Sequence, residues 1–114
     1  MAQLPEEITT TILELQRQFL GIIDQATAVA FIIVERYGET EATLSDLEQL
    51  DNVRERASTY YSRFYTLLLR IAESQPIATA AMLDLLHRSL EEAQAAAEAL
   101  IVTCQEIKVD WNLS

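Results

Sequence analysis

The stretch Ala26–Val34, ATAVAFIIV, decides how the chain folds. A helix resting on one partner needs only a stripe of apolar side chains, whereas this stretch is apolar on nearly every side and asks for neighbours all round. Outward from it, Ile8, Ile12, Leu15, Phe19, Ile22, Ala26, Val29 and Ile33 recur at alternating steps of four and three, which is a heptad seam. Leu13, Leu20 and Val34 form a second stripe, with Ile23 and Ala30 between the two. Together they widen the apolar face to roughly 160° at about 100° per residue. The expectation is a first helix at the hub of a bundle, covering two others at once.

Its ends are marked. Pro5 suits a first helical turn, and Glu6 and Glu7 complement the positive end of the helix. Gly38 is a residue that can adopt the left-handed conformation closing a helix, so the first should stop at Tyr37 or Gly38. Thr43 or Ser45 then caps the second, and Ser45 with Glu48 has capping-box spacing. The second seam is Leu50, Val53, Ala57, Tyr60, Phe64, Leu67 and Ile71, with the poor helix formers Asp51 and Asn52 as a candidate kink. Pro76 pushes Gln75 out of the α region, which ends the second helix near Glu73. A third begins around Pro76 or Thr79, follows Leu86, Leu90, Ala93, Ala97, Leu100, Cys104, Ile107 and Trp111, and frays near Asn112. The fold class expected is all-α: an antiparallel up-down-up bundle of three long helices over residues 1–114, one domain. Helices of roughly 28 to 34 residues are about 45 to 50 Å long. Such length is more comfortable when two chains share a core, so homodimerisation is expected to complete the bundle.

Composition sets bounds on function. Half of the 114 residues are apolar, enough for a core without staples. Eighteen acids against eight bases give a net charge of −10, which argues against nucleic acid as the partner. No charged leader followed by an apolar run resembles a signal peptide, and Asp24 and Gln25 interrupt the best membrane-span candidate, so no membrane is expected. The single cysteine, Cys104, rules out an internal disulfide framework and fits a reducing cytoplasm.

Chemistry-bearing residues are few. His87, the one histidine, is a phosphotransfer candidate, but Leu90 and Glu91 stand where such a site wants a lysine and a glycine. Asp84, His87 and Glu91 share one helix face at the carboxylate–histidine spacing of di-iron bundles, yet no second histidine completes the set. Cys104 lies on a seam, where it acts as a small buried hydrophobe. With no nucleophile–base pair and no glycine-rich phosphate loop, neither catalysis nor a cofactor is expected.

The second helix carries the most unusual pattern. Arg56, Arg63 and Arg70 repeat every seven residues beside the seam, with Thr59 and Thr66 between them and Arg54 and Tyr61 nearby. Residues 52–72 hold four arginines against Glu55, a local +3 that leaves −13 for the remainder. Arginine and tyrosine suit an interface, so Arg56, Arg63, Arg70 and Tyr61 are the candidate partner-binding residues. The plainer reading has these arginines pairing with acids of neighbouring helices while their stems shield the core. Away from the seams, Ala28, Phe31 and Ile32 remain as an apolar patch; counted from the helix starts it is level with Val102, and these four residues are the candidate self-association site. The function expected is a non-enzymatic, cytoplasmic protein–protein interaction module, an adaptor or regulatory subunit acting as a homo-oligomer. The alternatives are an acidic nucleic-acid mimic, using Glu91, Glu92, Glu98, Glu106 and Asp110, and a phosphotransfer or metal protein built on His87.

Overall fold

The computed structural model describes residues 6–74 and 80–113. They form three helices, α1 (Glu6–Tyr37), α2 (Glu41–Glu73) and α3 (Ala80–Asp110), which run up, down and up as a bundle. Proposed starts for α3 at Pro76 or Thr79 lie outside the described residues.

All three seams meet in one core. Ile12, Phe19, Ile33, Leu50, Ala57, Phe64, Ile71, Leu86 and Ala93 are essentially sealed from solvent, and Ile8, Tyr60 and Trp111 pack partly buried against them. Phe19 and Tyr60 stack with centroids 5.4 Å apart, which sets the antiparallel register of α1 and α2. Tyr60 Oη donates to Glu92 Oε1 at 3.2 Å, and Trp111 Nε1 donates to Asp46 Oδ2 at 2.7 Å. These two bonds register α2 against α3 from its middle to its far end.

The helix ends follow local chemistry. Gly38 adopts φ 75° and donates to the Val34 carbonyl, closing α1. The cap of α2 is Thr40, not Thr43 or Ser45 with Glu48: the chain leaves Gly38 extended at Thr40, whose amide donates to Thr43 Oγ1 at 2.8 Å while Thr43 N donates back to Thr40 Oγ1. Thr43 is consequently buried and also donates to the Gly38 carbonyl. At the other end of the molecule Asn112 takes φ 57°, and Leu113 N donates to the Lys108 carbonyl at 2.7 Å, ending α3. α2 runs unbroken through Asp51 and Asn52 because Leu50 and Val53 are both anchored in the core, which overrides weak local propensity.

Two expectations about α1 change. Its neighbours lie side by side on one flank, along the first seam, so the second stripe is not covered: Leu13, Leu20 and Val34 are 55%, 51% and 38% exposed. Phe31, within the opening stretch, is 66% exposed, so the hub helix is not enclosed. α1 is also long and apolar enough to cross a membrane by length and composition, despite Asp24 and Gln25. The molecule is a rod of 56 × 19 × 17 Å, with a radius of gyration of 17.3 Å against about 13 Å for a compact domain of this length. A rod this thin has long sides and little interior, and its sides are where function must be sought.

Candidate interaction surfaces

The arginine ladder lies along the junction of α2 and α3. Arg56, Arg63 and Arg70 are all exposed, and Tyr61 is half-buried. Arg63 lies 3.7 Å from Glu92 and holds its guanidinium 5.2 Å from the Tyr60 ring. Arg56 and Arg70 make no ion pair among the described residues, so the intramolecular pairing expected of the ladder is met at one rung. Arg54 is taken up by Asp51 at 3.0 Å. A shallow groove of about 630 Å³ runs beside two rungs of the ladder, lined by Arg63 and Arg70 but not by Arg56, by Glu55, by the hydroxyls of Ser58, Thr59, Ser62, Thr66 and Ser89, and by Leu67 and Leu85.

A second surface occupies the other side of α2. At about 100° per residue, Tyr65 falls on the flank away from Arg63 and Leu69 on the outward back of α2, one heptad after Ser62 of the arginine groove; both are half exposed. On α1, Gln18, Gly21 and Gln25 line the junction with α3. Leu13, Leu20 and Phe31 sit on the opposite flank of that helix. Leu13, Leu20, Phe31 and Val34 therefore lie on the α1/α2 face that α3 does not cover, and the Phe19–Tyr60 register brings Tyr65 level with its Leu13 end. The signal for this surface was present in the seven-residue step of the second stripe; assigning that stripe to the core concealed it.

The residues proposed for self-association do not form one patch. Ile22 shares a groove with Ile101 and Cys104, and Tyr37 packs on Trp111 at 4.9 Å. Val102 is therefore level with the middle of α1, near Ile22, whereas Phe31 lies towards the Trp111 end. Counting from helix starts misjudged the level because α3 is shifted along α1. Ala28, Phe31 and Val102 are exposed and Ile32 is half-buried, and Phe31 belongs to the α1/α2 face.

His87, Asp84 and Glu91 are exposed on α3, and among the described residues no group of three histidine, cysteine or carboxylate side chains is placed to hold a metal ion. Cys104 is 3% exposed; burial pushes its thiol above the ordinary value, with Lys108 pulling weakly the other way. A buried thiol with a raised pKa is a poor nucleophile. Comparison of the chain with protein-family models, with curated proteins and with solved structures finds no match.

Proposed function

We propose that the protein is a non-enzymatic helical interaction module that works as a homo-oligomer and docks a helix of another protein on its α1/α2 face. The observation that carries this reading is the uncovered row Leu13, Leu20, Phe31 and Val34, with Tyr65 at its Leu13 end. The exposed Asp24 and Thr27 divide the row into a Leu13–Leu20 patch and a Phe31–Val34 patch, each an apolar surface that a partner would take out of water. Leu13, Leu20 and Val34 fall on a seven-residue step whose remaining place is held by Thr27, the period that an amphipathic helix reads when it lies along a bundle. A helix there would fill the fourth position around α1 and α2. Phe31 thus serves the partner, in place of the self-association role that the sequence alone suggested.

The test compares capture from the native cell by the wild type and by Leu20→Glu with Phe31→Glu, after circular dichroism has shown equal helicity. A protein held by the wild type through high-salt washing and lost by the variant is the expected result. Equal capture by both chains overturns the reading. Capture that disappears with salt from both chains is the signature of the acidic mimic instead.

A further inference from the structure

We propose that a second copy of this chain packs antiparallel on the outer ridge of α3, across a two-fold axis at the level midway between Ala95 and Ala99. The ridge is a second heptad seam, on the side of α3 turned away from the core. Leu85, Ala95, Ala99, Val102 and Val109 stand on it, and Arg88, Glu92 and Glu106 fill the places between at the same alternating steps of three and four. All are exposed, Leu85, Val102 and Val109 by 48%, 54% and 74%. The inner seam of the same helix is spent on the core. Gln94 and Glu98 line the junction with α1, and Leu85 and Ser89 that with α2, so the ridge runs between the two junctions and neither neighbour covers it.

The ridge is complementary to its own reverse. Turned about that axis, each copy sets Ala95 against Ala99 of the other, Glu92 against Val102, Arg88 against Glu106 and Leu85 against Val109. These are the layers of an antiparallel coiled coil, with the smallest side chains at the axis, where the backbones come closest. Arg88 and Glu106 make no ion pair among the described residues, and this register gives each an opposite charge. Glu92 is held towards α2 by Tyr60 and Arg63, so its stem meets Val102 while its carboxylate stays at the α2 junction.

Other arrangements lose that match. A shift of one heptad either way sets Glu106 against Ala95 or Ala81 and leaves Arg88 without an acid. A parallel pair sets Arg88 on Arg88, Glu92 on Glu92 and Glu106 on Glu106, which repels.

From Leu85 to Val109 the contact is about 36 Å long and about 10 Å wide. That is roughly half of the ~800 Å² that a standard interface buries per partner. Glu98 also comes beside its own copy at the axis, and each chain carries −10. The dimer is therefore weak, with a dissociation constant on the order of 100 µM. It leaves the α1/α2 faces of both copies turned outward and free for a partner helix. The inference rests on the homo-oligomer of the proposed function, and its test reads α3 alone, so its failure leaves helix docking on α1/α2 standing.

Sedimentation equilibrium on purified chains from about 10 µM to about 1 mM decides it. The wild type should pass from monomer to dimer across that range. Arg88→Glu sets acid against acid and Glu106→Arg sets base against base, and each should lose about tenfold or more in dimer affinity. The chain carrying both substitutions has opposite charges again and should dimerise as the wild type does, and so should an equal mixture of the two single variants. Where circular dichroism shows a charge-reversed chain to be less helical, Arg88→Gln or Glu106→Gln replaces it and should dimerise more weakly than the wild type. A wild type still monomeric at the highest concentration leaves the ridge to some other chain and overturns the proposal. Single reversals without effect, the signature of a parallel pair, overturn it too, as does a double reversal no tighter than the singles.

Discussion

Trp111 reaches across the end of the bundle to Asp46, its indole N–H 2.7 Å from the carboxylate, while its ring packs on Tyr37. One side chain at the end of α3 thereby ties down the first turns of α2 and the last turn of α1. A hydrogen bond to a charged, partly exposed acceptor contributes about 1 kcal/mol. Trp111→Phe keeps an aromatic ring and loses the donor, so urea unfolding should show a loss of about that size. Asp46→Ala should match it, and combining the two should cost little more than either alone.

Thr43 is a buried hydroxyl with three roles: it accepts from Thr40 N, and it donates to the Gly38 and Thr40 carbonyls. Thr43→Val preserves shape and removes all of them, at an expected cost of about 1 to 2 kcal/mol. Ser45→Ala, at an exposed position inside the helix, should change stability by less than about 0.5 kcal/mol. Thermal unfolding of the two variants separates the observed cap from the one expected at Ser45.

Core and surface stripes should respond in opposite ways although both are apolar. Phe64 is 1% exposed, and Phe64→Ala should cost about 3 to 5 kcal/mol. Ala97→Leu crowds a position only 2% exposed, at about 1 to 3 kcal/mol. Leu20→Ala should leave denaturant midpoints nearly unchanged, since the side chain is half in water in the free protein. A large loss for Leu20→Ala would mean that the α1/α2 face is already covered in solution.

The three seams were legible in the sequence because steps of three and four survive any detail of packing, and the residues named there are buried except Ile8, Tyr60 and Trp111, which are partly so. The stripe through Leu13, Leu20 and Val34 has the same signature, and periodicity cannot say whether the neighbour that covers a stripe belongs to the same chain. The Thr40 cap was missed because Thr43 lacks the glutamate or glutamine usual at that capping-box position, and a threonine hydroxyl takes its part. Trp111 was placed on the seam, but nothing in its spacing indicated Asp46, which lies 65 residues away. The level of Phe31 against Val102 depended on the shift between helices, which composition does not encode.

Cys104 makes the stability sensitive to alkaline pH. Its folded-state pKa is raised by burial, so the neutral thiol stabilises the fold fully below the ordinary value of 9.0, and that contribution is lost as pH climbs through the folded-state value. Cys104→Ala should lower stability at neutral pH and flatten its decline above pH 9.0 relative to the wild type. In the folded protein, thiol-specific reagents should react with Cys104 far more slowly than in denaturant.

Helix docking on the α1/α2 face is tested most directly by a photo-crosslinking amino acid placed at Leu20 in the native cell, with the same group at His87 as the control. His87 is exposed on α3 and lies on neither the α1/α2 face nor the arginine groove. Irradiation should yield a discrete product joining position 20 to one other protein, cross-linked through a helical segment with apolar residues at seven-residue steps, and no such product from position 87. No product at position 20, or the same products from both positions, would contradict it.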